Sequence, residues 1–313
     1  MRAVTIRDQQ LVIEEHPDPV PGRGEVLVRV RAAGLNGGDM HQRRGLYPAP
    51  PGWPADIPGM ELAGEVAALG DAAERFGLGD RVMAIVGGGA QAELAVVPER
   101  LLMPVPETLD WPAAGGLPEV FTTAHDALFT QGELRPGERL LVHGGAGGVG
   151  TAAVQLACAT GARATATVRH EHLRDAVQEL GADAITPEGF AEHGPFDVIL
   201  ELVGAPNMPE NMQVLATGGR IAVIGVSAGA KADINLLALM GKRARVHGST
   251  LRARPLEDKG LIARRVEREV LPLFDSGALR VPIAATFPLD QAAAAYERFE
   301  AGGKLGKIVL LAQ

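Results

Sequence analysis

The stretch RLLVHGGAGGVGTAAVQLA, from Arg139 to Ala157, leaves the chain few ways to fold around it. A short apolar run ends at Val142 and a glycine cluster follows. Val149, Ala153, Leu156 and Ala157 then recur at helical spacing, so the segment reads strand, tight turn, helix. Gly145-x-Gly147-x-x-Gly150 offers a sharp bend, bare backbone where a pyrophosphate can approach, and close packing of helix on strand. The helix start, with Gly148 and Val149, presents N–H groups and the positive end of the helix dipole to phosphate. A P-loop needs Lys and then Ser or Thr after its last glycine, and Gly150 is followed by Thr151 and Ala152. The same triplet also describes an ordinary turn in a chain with 40 glycines, so the flanking segments have to decide.

Beyond the turn, apolar strands alternate with helical segments: ARATATV, HLRDAVQELGA, DAIT, FDVILELVG, NMPENMQVLATGG, RIAVIGV and later RARVHGS. That alternation predicts a parallel sheet covered on both faces, and it supplies the βαβ frame that a dinucleotide turn needs. The second strand of the frame ends Thr167-Val168-Arg169-His170, where an NAD site would carry Asp or Glu for the ribose hydroxyls. A guanidinium at Arg169, with His172 close behind, suits a 2′-phosphate, so NADPH is expected over NADH. The plain alternative is that Arg169 only faces solvent.

The part before the turn reads differently. AVTI, LVIEE, EVLVRVRAAGL, ELAGEVAALG, DRVMAIV and AELAVVP have the alternation or β-branched content of short strands and predict a small barrel-like β domain. The stretch from Asn36 to Met60 is dense in Gly and Pro, is read as irregular loop, and is the first place to look for substrate contacts. Near Leu109 the spacing turns helical, with Asp110 as N-cap before Pro112. The segment PLEDKGLIARRVEREVLPLFDSGAL predicts one long amphipathic helix with Leu261, Val266, Val270 and Leu273 on its apolar face.

A chain of 313 residues is long for one core and suits two domains. With net charge -8 and no basic run, nucleic acid and anionic membranes are poor partners, and no apolar stretch is long enough to span a bilayer. The expected setting is cytoplasmic. The single cysteine, Cys158, excludes an internal disulfide and any cysteine-rich zinc site, and reads as a small buried hydrophobe.

The order of parts, together with GEVLVRV, GMELAGEVAALG, GDRV, HGGAGGVGTAAVQLA, LGAD, GGRIAVIG and GKIVL, resembles the medium-chain dehydrogenase/reductase superfamily over nearly the whole chain. LNGGDMHQRRGLYPAPPG, GGGAQAELAVVPERLLMPVPE and GSTLRAR are similar to its zinc-free quinone oxidoreductases, especially the tumour-suppressor-inducible subgroup. The resemblance implies an α/β protein. A Rossmann doubly wound parallel-sheet domain over 119–275 would bind NADPH, beside a GroES-like β-barrel substrate domain made of 1–118 and 276–313. It further implies a homodimer formed through the sheet of the nucleotide domain.

The zinc-dependent members carry Cys and Gly-His-Glu where this chain has Asn36 and Gly59-Met60-Glu61. A thioether is a poor zinc ligand and Asn36 and Glu61 cannot complete a three-ligand set, so no metal is expected. Hydride transfer without a Lewis acid needs an activated electrophile, a quinone or other conjugated carbonyl, whose developing charge hydrogen-bond donors can settle. Asn36, Asp39 and Tyr47 match the subgroup's substrate cleft between the domains: Tyr47 to donate to the oxyanion, Asn36 to orient the carbonyl, and Asp39 chiefly to hold the loop through backbone N–H groups. The resemblance adds Thr123 beside the nicotinamide, Gly204 and Gly225 at strand ends, Leu251 and Arg252 near the nicotinamide, and Lys307 reaching phosphate or ribose. The subgroup often has Lys where His172 stands, which weakens the NADPH preference unless Arg169 compensates. Two other readings remain: an NADPH-dependent reductase of enone or 2-alkenal double bonds, and an NADPH-binding protein without significant turnover, of which the acidic balance disfavours an RNA-binding form.

Overall fold

The computed structural model describes residues 1–312. The chain begins with strands β1 (Arg2–Arg7), β2 (Gln10–Glu15), β3 (Glu25–Gly34), β4 (Glu61–Leu69), β5 (Arg81–Ile85), β6 (Leu94–Pro98) and β7 (Met103–Pro104), with helix α1 (Gly37–Arg43) between β3 and β4. Helices α2 (Trp111–Gly116) and α3 (Pro118–His125) follow. Then come β8 (Arg139–Val142), α4 (Gly148–Ala159), β9 (Arg163–Thr167), α5 (Arg174–Gln178), β10 (Asp183–Ile185), β11 (Phe196–Glu201), α6 (Met208–Val214), β12 (Leu215–Val223), α7 (Leu236–Lys242) and β13 (Arg245–Gly248). Helices α8 (Leu256–Glu269) and α9 (Leu271–Asp275), strand β14 (Ile283–Pro288), helix α10 (Ala292–Glu300) and strand β15 (Lys307–Leu311) complete it.

Two compact units result. One comprises 1–122, 251–302 and 307–312 of the described residues, the other 123–250 and 303–306. The first is built on a seven-stranded sheet in the order β14-β15-β3-β4-β5-β7, with β6 also paired to β3, and a separate β1–β2 hairpin. Strand β3 shows why: Val26, Val28 and Val30 alternate into the core while Arg29 faces solvent, and the β-branched residues pack well on the pleat. The second unit is a six-stranded, wholly parallel sheet in the order β10-β9-β8-β11-β12-β13. Leu140, Leu141 and Val142 of β8 are all buried, as a strand covered on both faces requires.

Three local features depart from the sequence reading. The Gly/Pro-rich stretch holds a helical turn, α1, because Asp39 at its third position accepts the Asn36 N–H at 2.8 Å, which offsets the poor helix propensity of Gly37 and Gly38. The long helix is broken at Val270: Pro272, near the start of α9, has no N–H to continue the ladder. Ile262, Ala263 and Val266 form its buried face, while Leu261 is 65% exposed. Helix α8 also belongs to the β-rich unit, which resumes at Leu251 and not at 276, because its side chains reach that unit: Arg75 Nη2 donates to Glu267 at 3.0 Å and Arg264 to the Leu102 carbonyl.

Candidate active site

In the parallel unit, sheet order reverses between β8 and β11, and a crevice for ligand lies at the carboxyl ends of such strands. The turn after β8 is shaped by what its glycines exclude. A Cβ on Gly150 would lie 2.3 Å from the Gly144 carbonyl oxygen, and one on Gly145 would lie 2.6 Å from the Ala166 Cβ. Gly147 is the N-cap of α4, and Gly148 and Val149, in its first turn, remain partly exposed, so their end of the helix is open to an anion. The next loop over, after β11, is organised by Glu201, whose Oε1 accepts from the N–H groups of Val203 and Gly204, both at 2.7 Å. Gly204 sits at φ 113°, and a Cβ on Gly225 would lie 2.4 Å from the Leu202 carbonyl oxygen, so both positions require glycine.

Sequence inspection gave no hint of the buried polar group behind this turn. His143, 1% exposed, sits between Asn211 Oδ1 at 2.8 Å and Thr167 Oγ1 at 3.3 Å, and Asn211 Nδ2 donates to Glu201 Oε2 at 2.8 Å. Burial pushes its pKa down against the pull of Glu201, so the ring is neutral and acts as a structural tie. His143 is the residue after an apolar strand, a place where a lone His carries no pattern. Arg169 follows β9 and is exposed, as is His172, whose ring lies 5.7 Å from that of His170. The Thr167 carbonyl accepts from Gly145 N at 2.9 Å, which ties the end of β9 to the glycine turn. Thr123, on α3, is 8% exposed.

The β-rich unit gathers a second set. Asn36 Nδ2 donates to Glu61 Oε1 at 2.8 Å, Lys307 Nζ donates to Asn36 Oδ1 and to the Leu35 carbonyl, both at 2.7 Å, and the ammonium is ion-paired with Glu61 Oε1 at 2.6 Å. Glu61 and Lys307 are 0% and 2% exposed. Glu61 Oε2 accepts the backbone N–H of Glu119 at 2.8 Å, and this bond pins the start of α3 to β4. Asp39 accepts Asn36 N on one oxygen and Gly59 N, at 3.1 Å, on the other. Burial raises Asp39 to about 6 against the pull of its backbone bond to Asn36, and burial together with the neighbouring Glu61 raises Glu119 to about 8.

Two residues expected at the cofactor are tied to the protein itself. Lys307 donates to two acceptors and is ion-paired with Glu61. Arg252, 2% exposed, spends its guanidinium on Gly87 O at 2.8 Å, Tyr47 O at 2.9 Å and Gln42 Oε1 at 2.5 Å, and lies over the Tyr47 ring at 4.9 Å. Arg252 therefore holds the loop that carries Tyr47. Leu251, 7% exposed, lines a small apolar cavity with Ile85, Met103 and Ile262. Tyr47 itself is half-buried, and its phenol is pushed up by burial and then by Glu119. The Asn36 amide is engaged at both ends, by Glu61 and by Lys307.

A parallel sheet in this order, with a glycine turn and helix start at its switch point, defines the class of dinucleotide-binding oxidoreductases. Comparison with known proteins narrows the class. Residues 22–107 match the family model "Alcohol dehydrogenase GroES-like domain", and residues 175–310 match "Zinc-binding dehydrogenase". Quinone oxidoreductase from Rattus norvegicus is 32% identical over 306 residues, covering 94% of this chain and 91% of the relative, and that from Homo sapiens is 32% identical over 307 residues with the same coverage. Among solved structures, an alcohol dehydrogenase superfamily protein from Novosphingobium aromaticivorans superposes with TM-score 0.89 at 30% identity, covering 100% of both chains. A mycobacterial protein solved with NADPH gives TM-score 0.89 at 28% identity, covering 99% of both. The chain belongs to the quinone oxidoreductase branch of the medium-chain dehydrogenase/reductase superfamily. It has that family's GroES-like and Rossmann architecture and is an oxidoreductase of an NAD(P)-binding family.

Proposed function

We propose that this protein is an NADPH-dependent, metal-independent quinone oxidoreductase. The observation that carries the reading is the Lys307 ammonium, which lies 2.7 Å from Asn36 Oδ1 and 2.6 Å from Glu61 Oε1. A cation bound to those oxygens would need the same space, and like charges at that distance repel strongly. Among the described residues no group of three His, Cys, Asp or Glu could hold a metal ion. The residues therefore do not fit a catalytic zinc, and the acceptor must be electrophilic by its own structure. The glycine turn fits a dinucleotide, because a Cβ at Gly145 or Gly150 would collide with the neighbouring strand or turn. Gly145, Gly147, Gly148, Val149 and Gly150 would cradle the pyrophosphate, Gly204 and Gly225 would leave room at the strand ends, and Thr123 would lie beside the ring. Arg169, exposed and with no acid at the end of β9, would take the 2′-phosphate together with His172.

When bound, the cofactor supplies a hydride from its nicotinamide. Tyr47 donates a hydrogen bond to the oxygen that gains charge, and the raised pKa of its phenol keeps it protonated for that role. Arg252 fixes the loop that presents Tyr47, and Asp39 fixes the helical turn before it. A homodimer through the parallel sheet accords with β13 at one edge of that sheet and with Leu236, Leu237 and Met240 of α7, which are 67%, 78% and 72% exposed. Small-molecule acceptors and a cytoplasmic setting complete the reading.

The test is NADPH and NADH oxidation against a panel of quinones and enones, before and after chelation. Quinone turnover that favours NADPH, survives chelation and falls in Tyr47→Phe is expected. No turnover with any acceptor, or loss on chelation, would refute the proposal. A saturated carbonyl product without quinone reduction would transfer it to the double-bond reductases.

A further inference from the structure

The β-rich unit also has an open groove of about 610 Å³, a size within the span of small-molecule sites, which run from about 300 to 1,000 Å³. The loop after Tyr47 supplies Trp53 and Pro54 to its walls, strand β6 supplies Leu94 and Val96, and α8 supplies Lys259. No residue of the glycine turn lines it, nor do Asn36, Asp39 or Tyr47.

The aromatic wall is set in place by the glycines against it. A Cβ on Gly87 would lie 2.4 Å from Trp53 Cδ1, and one on Gly88 would lie 2.8 Å from the Pro54 carbonyl oxygen. The indole and the proline that follows therefore rest directly on bare backbone. A surface held this way has little freedom left to lose when a ligand packs on it.

The polar side of the groove is cationic. Lys259 Nζ lies 5.5 Å from the centre of the Trp53 ring and donates to the Arg252 carbonyl at 3.2 Å. Among the described residues that carbonyl is its one acceptor, so two of the three N–H groups of the ammonium remain for a ligand. Its neighbour has the same sign: Arg252, 2% exposed, also lines the groove and is spent on the neutral oxygens Gly87 O, Tyr47 O and Gln42 Oε1. Glu119 acts on both cations, and Asp39 on Arg252, from beyond ion-pair distance. Glu25, the one acid of the lining, accepts the Gly22 N–H on Oε2 at 2.8 Å, and the amino group of Met1 is paired with Asp18 at 2.8 Å. Arg254 lines the groove as well. Burial, and then Arg252, push the Lys259 ammonium down, a strain that an anion beside it relieves.

We propose that this groove binds a small organic anion, its aromatic body against Trp53, Leu94 and Val96 and one carboxylate on Lys259. The site holds or fails independently of the quinone oxidoreductase reading. A carboxylate offers two oxygens to the remaining N–H groups of the ammonium, and Arg252 adds to the attraction through its field and not by contact. A neutral molecule of the same shape keeps the packing and loses the ion pair.

The experiment uses the full chain, 2-naphthoate as probe and 2-naphthylmethanol as its neutral counterpart, in calorimetric titrations at low ionic strength. The chain has two tryptophans, so quenching is read in a Trp111→Phe background, where Trp53 alone reports. The expected result is saturable binding of one 2-naphthoate with quenching of Trp53, at an affinity at least about ten-fold above that of the alcohol. Lys259→Met keeps the apolar stem and should bring the two probes to within about two-fold, whereas Lys259→Arg should keep the preference. Saturating NADPH should leave the affinity unchanged. No saturable binding, equal affinity for acid and alcohol, or a preference untouched by Lys259→Met overturns the proposal. Displacement of 2-naphthoate by NADPH also overturns it, by placing the probe at the dinucleotide site. So does a probe-induced drop in sedimentation coefficient, which would mark the groove as a contact between copies of the chain.

Discussion

Replacing Lys307 by Met tests the assignment of this residue as the floor of the site. Met keeps most of the apolar stem, whose Cβ and Cγ pack beside Gly116, and removes only the ammonium. Glu61 Oε1 then loses its ion-pair partner, and Asn36 Oδ1 and the Leu35 carbonyl each lose a donor. Glu61 keeps the Asn36 amide and the Glu119 N–H but is left as a fully buried charge without a counterion. Breaking a buried pair in this way costs about 3–5 kcal/mol, against less than about 1 kcal/mol for an exposed one. The matched control is Arg245→Met, which removes an ion pair to Glu133 whose partners are 53% and 48% exposed. In urea the transition of the β-rich unit should move down by about 1–2 M at a slope of roughly 2–3 kcal/mol/M, while the control barely shifts. Adding Glu61→Met to Lys307→Met should return part of the loss, because no unpaired charge then remains. Equal, small shifts for Lys307→Met and the control would refute the reasoning, and with it the claim that an ammonium takes the place of a metal.

The remaining predictions concern the turn, the loop and the response to pH. Gly150→Ala sets a methyl 2.3 Å from a carbonyl oxygen, so NADPH affinity measured by quenching should drop by at least about ten-fold; unchanged affinity would mean that the turn does not hold the dinucleotide. Arg252→Lys keeps a charge but cannot reach Gly87 O, Tyr47 O and Gln42 together, so kcat/KM for quinone should fall by about ten-fold or more while NADPH affinity holds. Asp39 and Glu119 both have folded pKa values above their unfolded ones, so their contribution to stability is complete at low pH. Asp39's part is lost as pH rises from about 4 through about 6, and that of Glu119 from about 4.5 through about 8. Urea midpoints should therefore decline across that window, and Glu119→Gln should flatten the upper half by about 2–4 kcal/mol; a slope unchanged in the variant would contradict the raised Glu119 value.

The parts of the site legible in the sequence were those encoded by near neighbours. The glycine turn, the helix after it and the basic end of β9 lie within 25 residues of one another, and their spacing carries the chemistry. Asp110 could be read as a cap because its partner, Ala113 N, is three residues on. The floor of the site could not be read that way. Lys307 is 272 and 271 residues from Leu35 and Asn36, and a lysine opening a C-terminal strand looks like any strand-edge cation. Glu119 follows a proline at a helix start, where an acid is common for dipole reasons alone, so nothing marked it as buried among like charges. The assignment of 251–275 failed for a related reason: a helix records which face is apolar but not which sheet that face meets.

Residues 303–306 belong to the nucleotide unit, where Gly306 N donates to the Ala146 carbonyl at 2.8 Å, and the next five residues form β15 against β3. During synthesis the glycine turn therefore leaves the ribosome about 150 residues before the backbone that steadies it, and β3 waits longer still for its neighbour. Both units are completed by this one short stretch, four residues of it in the nucleotide unit and the next five as a strand of the β-rich one.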